Sequence, residues 1–175
     1  MDTVLRGRAI VLFLPQPEPQ PLIALRRQFD PLSSAIGAHV TLVFPFHSDL
    51  SPQAVREHVA DSVRGLEPIA VRLAGVTGAR DVGGADMYYL FLNVERGNDA
   101  IIELHDRLYR GPFEAYVSRE FTYVPHVTVG RCSGIDAFHA ALEAAGATPI
   151  DFEATLDTVT VYDAVTRAVE SAVAL

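Results

Sequence analysis

The chain has 175 residues, 49% of them hydrophobic, and a formal net charge of −8. That is enough apolar material for one large domain or two tightly joined smaller ones, while no run of about 18 apolar residues offers a membrane span. The acidic balance excludes broad binding to a long polyanion such as duplex nucleic acid but allows a small phosphorylated molecule in a local pocket, and the single cysteine, Cys132, excludes an internal disulfide and fits a reducing cytoplasm.

Residues 8–14 read as a buried first strand and not as a secretory leader, because the apolar stretch is short and runs into Pro15, Pro17 and Pro19. Leu22, Leu25 and Phe29 have helical spacing, and Asp30-Pro31 stops that helix. A loop over 33–38 then delivers a strand over 38–44, ended by Pro45. Ser51-Pro52 starts a second helix, with Ser51 as cap and Val55, Val59 and Val63 as its stripe. Ile69, Val71 and Leu73 alternate as a strand. Residues 75–86, with Gly75, Gly78, Gly83 and Gly84, read as a loop, either a mobile one or a plain hairpin connection.

Residues 87–94 form a dense aromatic and aliphatic strand. Asn98 or Asp99 is expected to cap a helix bearing Ile101, Leu104 and Leu108, and residues 113–123 divide between loop and strand. A strand over 125–132 follows. Ser133 is expected to cap a helix striped by Ile135, Phe138, Leu142 and Ala145 and ended by Gly146. Residues 150–162 are a strand region whose alternation changes phase near Asp157-Thr158, a mark of a bulge or turn. Residues 165–175 add a last strand.

Two of these strands carry one pattern. His39-Val40-Thr41-Leu42 and His126-Val127-Thr128-Val129 each read His, apolar, Thr, apolar. Alternation sends His and Thr to one face of the strand and the two aliphatics to the other. One copy is a weak signal, whereas two arise by chance in about 1% of chains of this composition. A helix and a strand follow each copy, over 51–66 and 68–75 and again over 133–146 and 149–161. That duplication predicts an α+β, bilobal, pseudo-two-fold structure: two antiparallel or mixed sheets face a central cleft, with the helices outside.

Two histidines beside two threonines suit phosphoester chemistry without a metal. Splitting a phosphodiester needs a base for the attacking group and an acid for the departing oxygen, and imidazole serves in both roles near neutral pH. Threonine hydroxyls can donate to the phosphate oxygens that gain charge. No Cys/His cluster has zinc spacing, and no cofactor is expected.

Tyr123, Phe46, Tyr88 and Tyr89 are candidates to stack a base. Arg131 follows the second motif and is a candidate for phosphate, and Arg80 and Arg119 are further local cations. His47 sits just past the first motif strand, whereas His58, His105 and His139 lie on or beside helix stripes and read as structural or surface residues. Three other readings compete. A binding module would hold a nucleotide without turnover. A nucleophilic hydrolase would use Ser or Cys132, but no Gly-x-Ser-x-Gly elbow is present. A metal site at His39 and His126 lacks nearby carboxylate or cysteine partners.

The paired motifs, 87 positions apart, resemble those of the 2H phosphoesterase superfamily. The stretches His39-Val40-Thr41-Leu42-Val43-Phe44-Pro45-Phe46 and Pro125-His126-Val127-Thr128-Val129-Gly130-Arg131 resemble in particular its bacterial 2′-5′ RNA ligase-like branch, and the likeness runs from about residue 8 to 165. It implies one domain over 1–175, built of two interleaved lobes, and cyclic phosphodiesterase or reversible 2′-5′ ligase activity on RNA ends or nucleotides. It also implies His39 as general acid and His126 as general base, accompanied by Thr41 and Thr128, with the roles exchanged in ligation. The expected partner is a nucleotide or short RNA end, bound by a cytoplasmic monomer.

Overall fold

The computed structural model describes residues 6–83 and 85–175, so Gly84 of the glycine-rich stretch lies outside the described residues. In chain order the elements are β1 (Arg6–Phe13), α1 (Gln20–Phe29), β2 (His39–Ser48), α2 (Pro52–Val63), β3 (Ile69–Arg80), β4 (Met87–Arg96) and α3 (Asn98–Leu108). A 3-10 turn over Gly111–Tyr116 leads to β5 (His126–Ser133), α4 (Ile135–Ala147), β6 (Asp151–Leu156), β7 (Thr158–Asp163) and β8 (Ala168–Ala174). Among the described residues, no helix is long and apolar enough to cross a membrane.

All eight strands join one antiparallel sheet in the order β6-β3-β4-β5-β2-β1-β7-β8. The two expected sheets are therefore two halves of a single one, β2-β1-β7-β8 and β5-β4-β3-β6, which meet where β2 lies against β5. The phase change at Asp157 marks a larger event than a bulge. Asp157 alone separates β6 from β7, yet these strands hold the first and seventh places in the sheet. Residues two apart are at most about 7 Å apart along an extended chain. The sheet must therefore curl until its β6 edge comes up to β7, which makes a half-barrel.

The helices cover one face of this sheet. Val40, Leu42, Leu90, Leu92, Val127 and Val129 point into that layer and are fully buried. The helix before each motif strand crosses the seam: α1 packs on β5, and α3 packs on β2. The other face of the central strands is left open.

Several local expectations need correction. The glycine-rich stretch is mostly strand, because β3 runs on to Arg80. Gly75 takes φ +72° where the β3–β4 register slips, and Gly78 lies directly under the Phe138 ring of α4. β2 passes through Pro45 to Ser48; proline is tolerated there because the β1–β2 register is already irregular. Neither Asn98 nor Asp99 caps α3, and Ser133 does not cap α4. The capping positions are Gly97 and Gly134, both with positive φ. α4 continues past Gly146 to Ala147. Ser51 does cap α2, accepting from the Ala54 amide at 3.1 Å.

Gly97 allows a test of the seam between β3 and α3. Its φ is +94°, and a Cβ there would sit 2.7 Å from the Ala70 carbonyl oxygen. Gly97→Ala is expected to cost about 2 kcal/mol or more, through backbone strain plus a contact that backbone atoms cannot relieve. Urea denaturation checks this: a loss below about 0.5 kcal/mol would mean the α3 start is far softer than drawn here.

Candidate active site

One registered pair joins the two motifs. Val40 lies opposite Val127 across the antiparallel β2–β5 contact, with both side chains buried under the helices. His39, Thr41, His126 and Thr128 therefore rise from the open face. Extending that register brings His39 level with Thr128 and Thr41 level with His126. The imidazoles become diagonal neighbours, on Cα atoms roughly 7–8 Å apart.

Each imidazole is held by the same device. His39 Nδ1 lies 2.8 Å from the Gly37 carbonyl oxygen, and His126 Nδ1 lies 2.8 Å from that of Val124, in both cases two residues upstream. A carbonyl only accepts, so Nδ1 carries the hydrogen and Nε2 keeps the lone pair that titrates. Phe13 packs edge-on to His39 at 5.8 Å, and Phe91 lies against His126 at 3.9 Å. Both histidines titrate below the usual 6.5, chiefly because burial disfavours the charged form. The carbonyl contacts oppose that shift; at His39, nearby Arg26 and His126 add to it and Asp30 opposes it.

Other side chains hold the strands that carry these groups. The Glu18 carboxylate accepts from the Ala38 amide at 2.9 Å. Arg26 donates to Asp30 and to the Ile36 carbonyl, which braces the loop before the first motif. Tyr123 donates its hydroxyl to the Thr41 carbonyl at 2.8 Å, and its ring stacks on His105 at 3.8 Å. The Phe44 amide donates to the Tyr109 hydroxyl at 3.2 Å. Burial pushes both phenols upward and keeps them protonated.

A bulge follows each motif at the same place. Leu42 is the extra residue between the Val11–Thr41 and Ile10–Val43 pairs of β1 and β2. Val129 is the extra residue between the Phe91–Thr128 and Leu90–Gly130 pairs of β4 and β5. A bulge reverses the facing of what comes next. Phe44 and Arg131 are thereby both turned to the open face. Phe44 lines the cleft, and the Arg131 guanidinium sits 5.9 Å over the Tyr89 ring.

The expected contact residues divide accordingly. Phe46 is not at the cleft: it is buried on the helix face against Phe113 and Tyr116. Tyr88 also faces the helices, stacked on Phe138. Tyr89, Tyr123 and Arg80 line the cleft, which has a volume of about 610 Å³ and opens over the β3-β4-β5 half of the sheet. Arg119 and His47 do not line it; His47 stands at the far end of β2 beside Gly7. His58 bonds the Leu108 carbonyl at 2.7 Å, His105 stacks on Tyr123, and His139 is exposed beside Phe138. Cys132 is buried, and burial pushes its thiol up, which disfavours the thiolate a nucleophile needs.

Phe44, Phe91, Asn93, Thr77 and Phe121 also line the cleft and were not singled out from the sequence. The available signal was β4 itself, whose two faces are both apolar. A larger groove of about 730 Å³ lies between α2 and α3 and includes Asp61, Asp99, Glu103 and Asp106. Arg107 and Arg110 line it too, and none of the four motif side chains does. Among the described residues, no group of three or more His, Cys, Asp or Glu side chains is placed to hold a metal ion.

A family model described as the 2′-5′ RNA ligase superfamily matches residues 14–167. A Bacillus pumilus protein named "Putative phosphoesterase" is 30% identical over 133 residues, covering 75% of this chain and 74% of that one. A protein of the same type of name from Halalkalibacterium halodurans is 27% identical over 123 residues, covering 70% and 68%. Among solved structures, Escherichia coli LigT complexed with 3′-AMP superposes with a TM-score of 0.60 at 14% identity, over 91% of this chain and 88% of that one. A structure described as a phosphoesterase superposes with a TM-score of 0.59 at 17% identity, over 97% and 98%. At such identities the structures speak for the fold alone. The family match spans most of the sequence and includes both duplicated motifs: the chain belongs to the 2′-5′ RNA ligase superfamily, within the 2H phosphoesterases.

Proposed function

We propose that this chain is a phosphodiesterase that opens 2′,3′-cyclic phosphates of nucleotides or RNA ends, or cleaves 2′-5′ linkages, with His39 and His126 as its acid–base pair. The observation that carries the reading is the matched pair of imidazoles, each with Nδ1 tied to a carbonyl and Nε2 free, brought together by the Val40–Val127 contact. A diagonal spacing of roughly 7–8 Å between their Cα atoms leaves room for a phosphate between the rings. LigT has been solved with 3′-AMP and with ATP, which supports a nucleotide as the ligand class.

In hydrolysis, His126 Nε2 takes a proton from water as the water oxygen bonds to phosphorus. The bond from phosphorus to a ribose oxygen breaks, and that oxygen receives the proton carried by His39 Nε2. Thr41 and Thr128 donate hydrogen bonds to the non-bridging oxygens. Ligation is the reverse of 2′-5′ linkage cleavage through the cyclic phosphate: a 5′-hydroxyl bonds to the cyclic phosphorus as a ribose oxygen departs, and the two histidines exchange roles between those two directions.

Incubation with a nucleoside 2′,3′-cyclic monophosphate in EDTA, followed by chromatography, tests this directly. The parent is expected to turn over, and His39→Ala and His126→Ala are each expected to lose about 10²–10⁴-fold. Binding of the nucleotide with no turnover, there or on 2′-5′ oligonucleotides, would instead favour a binding module.

The pH profile is a second test. The reactive free enzyme has one imidazole charged and one neutral. Both histidines are held below 6.5, so that mixed state is most populated on the acid side of 6.5 and drains away as the pH rises toward 8. kcat/KM is expected to be bell-shaped with its maximum below about pH 6.5. A maximum above about pH 7.5, or a flat profile, would rule out the pair as described.

A further inference from the structure

The two imidazoles are held by the same contact but not by the same kind of peptide. His39 Nδ1 donates to the carbonyl of the Gly37–Ala38 peptide, and the amide of that peptide donates to Glu18 Oε1 at 2.9 Å. At the end of the β1–β2 ladder the Leu14 amide donates to the Ala38 carbonyl at 2.9 Å, while the Ala38 amide turns to the carboxylate. Glu18 thus reaches His39 through two hydrogen bonds with one peptide between them. His126 Nδ1 donates to the carbonyl of the Val124–Pro125 peptide, whose nitrogen belongs to proline and carries no hydrogen. No carboxylate can act on that peptide in the same way.

Glu18 is built into this place. It is 9% exposed, and the Gln16 side-chain amide donates to the same Oε1 at 3.0 Å. Among the described residues no cation pairs with it. Burying a carboxylate among neutral donors is costly, and here its charge falls on the peptide that leads to His39. A carboxylate bonded to the N–H of a peptide makes the carbonyl at the other end a stronger acceptor, and a nearby negative charge favours imidazolium. The other charges around His39 come as a bonded pair: Arg26, which lowers it, donates to Asp30, which raises it. His126 lowers it too. Phe13 of β1 and Asn93 of β4, in register with His39 and His126, are uncharged. The cleft adds Arg80 and Asp81, of opposite sign, and Tyr123, which burial keeps protonated, on the His126 side.

We infer that Glu18 is a positioning residue that makes the two histidines unequal: through the Gly37–Ala38 peptide its carboxylate holds the Nδ1 hydrogen on His39 and favours the charged ring there, whereas the proline peptide gives His126 no such support. The acid–base consequence rests on the phosphodiesterase reading, in which His39 starts charged and His126 neutral; the electrostatic difference between the rings does not. Of the two singly protonated states of the pair, the one with its proton on His39 is then the more populated, and hydrolysis starts from that state.

The experiment follows the imidazole NMR resonances against pH, assigned with His39→Ala and His126→Ala. The pH dependence of kcat/KM for a nucleoside 2′,3′-cyclic monophosphate is measured beside it. In the parent, His39 is expected to titrate above His126 by about half a pH unit or more. Glu18→Gln keeps an oxygen that accepts from the Ala38 amide and removes the charge. It should lower the His39 midpoint by about half a pH unit or more, leave that of His126 in place, and draw the alkaline limb of kcat/KM down with it. An unchanged His39 midpoint in folded Glu18→Gln, whatever its activity, would reduce Glu18 to a brace and overturn the inference. So would a parent in which His126 titrates at or above His39, a result that needs no Glu18 variant to fold. A His39 midpoint that falls in Glu18→Gln, with no turnover by the parent, would support the role of Glu18 and sink the catalytic reading.

Discussion

The contact of Val40 with Val127 is the constraint on which the site depends. Among the described residues it is the one registered pair between β2 and β5, and it carries no chemistry of its own. Because the strands are antiparallel and both valines are buried under the helices, the neighbouring residues have no choice of face. Each histidine comes up beside the other motif's threonine. A slip of one residue by either strand would turn its imidazole into the core and its aliphatic pair into solvent. The exchange of α1 and α3 across the seam makes such a slip costly, since each helix packs on the other half's motif strand.

The two halves share a backbone plan and differ in what they display. A bulge directly after each threonine re-aims the side chain two residues further on to the open face, and the chain places a phenyl group there in one half and a guanidinium in the other. The positions facing the histidines across the neighbouring strand are likewise Phe13 and Asn93. The pseudo-symmetry therefore supplies a matched pair of imidazoles, and departures from it create one side with a pocket and one side without. A perfectly symmetric site could not distinguish an attacking group from a departing one.

Much of this was legible in the sequence because it depends on local periodicity. The four motif residues, the two-sided strands, the Ser51 cap and the α+β class all follow from spacing that a short window contains. What was not legible depends on register. Phe46 looked available and Phe44 did not stand out, because alternation puts both on the face of Val40 and Leu42; the bulge at Leu42 turns Phe44 to the open face, and a second register shift before Phe46 returns Phe46 to the helices. The glycines at 75 and 78 looked like loop punctuation, although one serves a register slip and the other makes room for Phe138. Gly97 and Gly134 out-competed the polar residues expected to cap, because the chain must turn through positive φ at those points. The phase change at Asp157 was visible, but no local rule says that the strand beyond it belongs to the opposite end of the sheet.

That joint at Asp157 bears on how the molecule assembles. The second half of the sheet is one continuous stretch, β3 through β6, whose strands find their partners within 69–156. The first half is assembled from two remote pieces, with Arg8 paired to Asp163 and Leu12 to Val159 across almost the entire described chain. Contact order is thus distributed unequally, and the entropy of closing the longest loop falls on the half that contains His39. By fixing the start of β7 against the end of β6, Asp157 shortens that search, because the completed second half already presents β7 at the edge to which β1 must return.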